Sequence, residues 1–150
     1  MASTISNATL TVTVTESLTL NGSNHGSTKR IDVTGVNEVS KRIISCLTDG
    51  TQIYKGHATV ASFGQFIYGN VKYIRITNLD DTNFVVVHLE GNSHYAQITL
   101  AAGNVFFLND VSATFDSEAS VADFNAEDIT RIDVMADTAA CDIEILVASA

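Results

Sequence analysis

The chain has no proline and no tryptophan, and only 17% of its 150 residues are charged. Without proline no turn is pre-set by a fixed φ, so turns must be made by Gly, Asn, Asp and Ser. No apolar run approaches the length of about 20 residues that crosses a bilayer as a helix, and no membrane partner is expected. The first residues, Met1 to Ser6, offer neither a basic region nor a long apolar stretch. No secretory signal is therefore expected, and synthesis as a soluble product in a cytoplasm is. Two cysteines occur, Cys46 and Cys141, far apart on apolar-patterned segments. In a reducing compartment they read as buried free thiols in preference to a disulfide.

What is present points to one folded domain over 1–150. A chain of this size buries roughly 68–70% of its unfolded surface, enough for a core without metal or disulfide staples. Hydrophobic residues make up 45%, which excludes a disordered chain. Ser, Thr and Asn fill the place of the missing charges, and such a surface is cheap to desolvate against a partner. A neutral-surfaced monomer is the plainer alternative. The net charge of −9 is unevenly spread: residues 1–109 carry seven acidic and seven basic side chains, whereas residues 110–150 carry ten acidic ones against Arg131. No basic stripe is available to displace counterions from phosphates, so nucleic acid is not an expected partner. The acidic end predicts a solvated face, or one that seeks a basic surface.

Period-two alternation dominates. Leu10, Val12 and Val14 alternate with threonines, and the chain stays extended through Leu18 and Leu20 to the turn residues Asn21-Gly22-Ser23-Asn24. Ile31 and Val33 mark a second strand, Glu38 to Leu47 a third, and His57 to Phe63 a shorter piece leading to Phe66-Ile67-Tyr68. Val71 to Thr77 and Phe84 to Leu89 form the strongest pair, joined by the polar turn Asn78-Leu79-Asp80-Asp81-Thr82-Asn83. Tyr95 to Leu100 follows, then Val105-Phe106-Phe107-Leu108, which reads as deeply buried. Residues 110–129 read as a long polar loop with a helical turn near 121–128. Ile132-Asp133-Val134 and Cys141 to Val147 close the chain, with Cys141, Ile143, Ile145 and Val147 on one face. This last pair resembles the Ile74/Asp81 hairpin about sixty residues earlier. Either two sheets are built alike, or any two hairpins share this look. Nine to eleven short antiparallel strands predict an all-β sandwich, the jelly roll being one arrangement that fits.

Catalytic and metal signatures are missing. His25, His57, His88 and His94 lie on separate segments, no C-x-x-C or Gly-rich phosphate motif occurs, and no carboxylate pair stands out. The acidic turns around Asp80 and around Asp133/Asp137 fit structural turns better than a calcium loop. No enzyme, cofactor or metal is expected. Tyr54, Tyr68, Tyr73 and Tyr95 are the aromatic residues a sugar-binding platform would have to use.

The run Val71-Lys72-Tyr73-Ile74-Arg75-Ile76-Thr77-Asn78-Leu79-Asp80-Asp81-Thr82-Asn83 resembles small virion proteins of tailed phages, especially those infecting aquatic bacteria. So do Ala101 to Leu108 and Ala136 to Ile145, the likeness covering about two-thirds of the chain. The resemblance implies a virion structural protein, made in a host cytoplasm. Its expected role is that of a capsid cement or decoration protein, bound to the major capsid protein. A tail, neck or fibre-attachment protein is the nearest alternative, and a carbohydrate-binding module the alternative from another class. A homo-oligomer is implied, with a trimer as the first expectation. The expected contact residues are Leu10, Val12, Val14 and Leu18 on the threonine-rich strand, and the basic pairs Lys29-Arg30 and Lys41-Arg42 facing an acidic neighbour.

Overall fold

A long hairpin leads the chain. β1 (Ala8–Thr15) pairs antiparallel with β4 (Thr28–Val36), and β2 (Thr19–Leu20) pairs with β3 (Ser23–Asn24). One register runs unbroken from Leu10↔Val33 through the Glu16–Ser27 and Leu18–His25 backbone bonds to Leu20↔Ser23. The tip is Asn21-Gly22, with φ of 51° and 80°. Two positive φ values in a two-residue loop are what an Asn-Gly hairpin turn supplies, because its twist matches that of the flanking strands. The computed structural model describes residues 5–59, 62, 64–109, 114–117, 125 and 127–150.

After Asn37 the chain enters the body. Its strands are β5 (Glu38–Cys46), β6 (Thr51–His57), β7 (Phe66–Ile67), β8 (Val71–Asn78), β9 (Val85–Glu90) and β10 (Tyr95–Leu100). They continue with β11 (Val105–Leu108), β12 (Thr114–Phe115), β13 (Glu127–Asp128), β14 (Arg131–Ala136) and β15 (Cys141–Ser149). One sheet has the order β11-β8-β15-β5 and the other β10-β9-β14-β6-β7. Setting aside the short β7, β12 and β13, the strands from β5 onward follow the orders 1-8-3-6 and 2-7-4-5 in two facing antiparallel sheets. That order is the jelly roll. Among the described residues the only helical element is the 3₁₀ turn Tyr68–Asn70, and no helix is long and apolar enough to cross a membrane.

Alternation explains the packing. On β15, Cys141, Ile143, Ile145 and Val147 are buried, opposite Cys46 and Ile44 on β5 and Ile76 and Ile74 on β8. The facing sheet contributes Ile53, Val85, Val87, Leu89, Ile132 and Val134 to the same core. Fully burying each such side chain is worth about 1.5–3 kcal/mol. A second, smaller cluster lies on the outer face of the four-stranded sheet. There the base of the hairpin, through Leu10, Val12, Ile31, Val33 and Val36, covers Tyr73, Leu146 and Ala148.

Two expectations are corrected, and two more fall partly outside the described residues. The two similar hairpins are not hairpins: β8 and β9 lie in different sheets, as do β14 and β15, and the units pair with each other as β8–β15 and β9–β14. Each strand turns its apolar face toward the next across the core, so burial wins over pairing of sequence neighbours. Of the extended piece expected over His57 to Phe63, residues 60, 61 and 63 lie outside the described residues; the described strand here is Thr51–His57. A bulge there, where β14 steps from Tyr54 to Gln52, buries both Ile53 and Tyr54 and hides the alternation. β11 is an edge strand with Val105 and Phe107 exposed, because alternation turns half its apolar side chains outward. The helical turn near 121–128 falls mostly outside the described residues, and Glu127–Asp128 within it is a strand.

Candidate contact site

Strand alternation puts Leu10, Val12, Val14, Glu16, Leu18 and Leu20 on one face of the hairpin, opposite Val33, Ile31, Lys29, Ser27, His25 and Ser23. At the base this face packs on the chain's own sheet. Leu10 and Val12, expected to touch a partner, are thereby occupied within the chain. Val14 is half-buried, and beyond it the same stripe emerges bare: Leu18 is 54% exposed and Leu20 56%. The opposite face carries Thr11, Thr13, Thr15, Ser17 and Thr19, with the ion pair Asp32 and Arg30 across from Thr11 and Thr13. An isolated two-stranded hairpin is at best marginally stable in water, so a projecting tip carrying leucines has reason to be seated on something.

The basic pairs do not act as units. Neighbours on a strand point to opposite faces, so Lys29 and Arg30 diverge, as do Lys41 and Arg42. Arg30 turns to Asp32 at 3.0 Å, and the carboxyl of Asp32 is held below its usual range first by the Thr11 hydroxyl and then by Arg30. Arg42 reaches the Ile53 carbonyl at 3.4 Å. Lys41 stands on the outer face of the four-stranded sheet and meets Glu144 at 3.0 Å, while Arg75 pairs with the other oxygen of the same carboxylate. Lys41, followed by Arg75, holds the Glu144 carboxyl below the usual glutamate range. Val39, 62% exposed, and Ile43, 64% exposed, flank Lys41 on this face, and Val105 and Phe107 lie exposed at its other edge. Sequence reading missed this surface. Its signal was the spacing Val39-x-Lys41-x-Ile43, masked because the opposite face of β5 carries Ile44 and Cys46.

The two ends of the sandwich differ. At one end short turns are tied down: the Asn78 amide donates to the carbonyls of Asn83 and Leu100, and Asp80 accepts from the Thr82 and Asn83 N–H groups. The Asp80-Asp81-Thr82-Asn83 segment is thus a structural turn. At the other end, buried His94 has Ser117 Oγ at 2.8 Å and Asp116 at 3.4 Å from Nδ1, and Glu127 at 4.0 Å from Nε2. Glu127 also accepts from the Ser93 and His94 N–H groups, Ser93 being the larger cause of its lowered pKa. Gly91 lets the Glu127 carboxylate come close, since a Cβ there would lie 2.6 Å from it and push it aside. In a Ser-His-acid triad the serine and the carboxylate bond opposite ring nitrogens. Here Ser117 and Asp116 share Nδ1, and Glu127 is beyond bonding distance of Nε2, an arrangement that fastens the loop to the β9–β10 turn.

The acidic residues of 110–150 do not form one face. Among those described, Glu144 and Asp133 are ion-paired on opposite sheets, and Asp116 and Glu127 surround His94. Of the tyrosines, Tyr54 and Tyr73 are buried, Tyr68 is half-buried, and only Tyr95 is exposed, its ring 6.0 Å from that of His88. They do not converge on a platform. Among the described residues no group of His, Cys, Asp and Glu is placed to hold a metal ion. No protein-family model, curated protein or solved structure matches the chain.

Proposed function

We propose that the protein is a non-enzymatic structural component of a phage virion, a cement or decoration protein that binds the major capsid lattice and stabilises it as a homo-oligomer. The observation that carries this reading is the hairpin: one apolar stripe, packed at its base and bare at its tip, rises from a sandwich whose nearby sheet face also exposes Val39, Ile43, Val105 and Phe107. Large exposed apolar surface marks contact sites. The jelly roll occurs in viral capsid domains and in lectins, which is an argument from fold alone, and the scattered tyrosines weigh against the sugar-binding use. The sparse charge fits a surface meant for burial.

The test is sedimentation of the purified protein with capsid particles, together with the capsids' melting temperature. Bound protein and a raised melting temperature support the assignment. Protein that stays in the supernatant overturns it. Binding to tails instead moves the protein to the neck, tail or fibre apparatus.

A further inference from the structure

We propose that the outer half of the hairpin docks on β5 of a second copy of this chain, setting Val14, Glu16 and Leu18 against Val39, Lys41 and Ile43. The inference deepens the self-association in the function proposed above and rests on it. Two observations select a second copy as the occupant.

The first is continuity. The stripe that ends in Leu18 and Leu20 is already received, at its base, by the outer face of the four-stranded sheet. The rest of that face, at Val39, Ile43, Val105 and Phe107, stays exposed. The chain therefore carries both the half-used stripe and the half-used surface that accepts it. The unpacked arm from Thr15 to the turn spans about 20 Å at strand spacing, enough to reach past its own body.

The second is charge. Both segments read apolar–charged–apolar at two-residue spacing, one with Glu16 and the other with Lys41. Glu144 lies between Lys41 and Arg75, so the Lys41 ammonium, mostly exposed, shares its one carboxylate with a second cation. Glu16, bonded in the free chain only to the exposed Ser27 hydroxyl among the described residues, supplies the matching negative charge. β5 is also an edge strand, open along one side to a neighbour.

The experiment combines light scattering with trans-linking. Wild-type protein is expected to scatter as a multiple of 16.0 kDa. The Leu18→Lys/Leu20→Lys variant is expected to fall to the single-chain mass with its far-ultraviolet circular dichroism unchanged, since both positions are exposed in the single chain. A pool carrying Leu18→Cys is mixed with one carrying Ile43→Cys and mildly oxidised with glutathione disulfide. A linked peptide joining the two positions, found by mass spectrometry, places the arm on the neighbour. Glu16→Lys and Lys41→Glu each weaken association roughly fivefold, and the double exchange restores it. Retention of the oligomer by the arm variant, or absence of the link in a wild-type-like oligomer, overturns the docking. A wild-type monomer that still binds capsids overturns it too, while leaving the capsid role standing.

Discussion

Cys46 and Cys141 stand directly opposite one another in the β5–β15 pair, both fully buried and both free thiols. Burial pushes the Cys46 thiol up to about 11, and burial followed by the charge of Asp80 raises Cys141. Because the thiolate is the reactive form, neither should react with a bulky disulfide reagent at pH 8 in the native protein. Both sulfurs lie inside one strand pair, so they should become reactive together as urea opens the sandwich. Mass spectrometry across the transition should find chains with no label or two. A substantial singly labelled population would show that the pair opens one strand at a time.

Asn78 sits fully buried where β8 leaves the core, its amide spanning two carbonyls and its oxygen taking the Asp80 N–H at 3.1 Å. Asn78→Ala removes all three bonds at once and leaves their partners without them. Unfolding free energy should fall by about 1–3 kcal/mol, the range for orphaning buried polar groups. Urea titration measures this as a lower midpoint at unchanged slope. A midpoint equal to wild type would mean that water replaces the amide without cost.

How much of this was legible depends on what each residue's neighbours hide. The alternation of Cys141, Ile143, Ile145 and Val147 announces its own buried face, and the Asn21-Gly22 tip announces its hairpin. Pairing partners were less visible. Ile74-Arg75-Ile76 and Ile132-Asp133-Val134 look like first arms of hairpins because a turn follows each. What decides instead is that their apolar faces must meet across the core, a relation between segments sixty residues apart. The candidate contact surface was half legible for the same reason. Leu18 was picked out by its place on an alternating strand, but alternation alone cannot tell that Leu10 is covered and Leu18 is not. That difference is set by Tyr73, Leu146 and Ala148, far along the chain. Val39 and Ile43 went unread because both faces of β5 are apolar.

Besides Asp32 on the hairpin, three carboxylates held low in the body make stability sensitive to acid. Asp80 is held low by the N–H groups of Asn83 and then Thr82, Glu127 by those of Ser93 and then His94, and Glu144 by Lys41 and then Arg75. Each is lower in the folded chain than its ordinary value, 3.8 for the aspartate and 4.5 for the glutamates. Their stabilisation is therefore complete above those values and disappears as pH falls through the lower folded ones. The melting temperature should decline steadily below pH 4.5, the ordinary glutamate value. Glu144→Gln should be less stable than wild type at neutral pH and should lose less on acidification. A variant whose pH profile parallels wild type would remove Glu144 from the account.

The hairpin should show a sharp gradient between base and tip. Val33 is buried against the cluster of Tyr73 and Ala148, so Val33→Ala should cost about 1–2.5 kcal/mol through lost burial and a partly collapsed cavity. Leu18→Ala, on the same face but past the edge of the body, should change the stability of the isolated chain by less than about 0.5 kcal/mol. Native-state hydrogen exchange supplies the finer measurement. At low concentration the His25 amide toward the tip, bonded to the Leu18 carbonyl, should exchange orders of magnitude faster than those of Val12 and Ile31 near the base, since only the base is backed by packed side chains. Raising the concentration should slow the tip and leave the base as it was, because a docked arm gains a backing that the free arm lacks. Equal protection along the whole hairpin at every concentration would mean that its turn and ladder bonds hold it unaided. The leucines at the tip would then need another explanation.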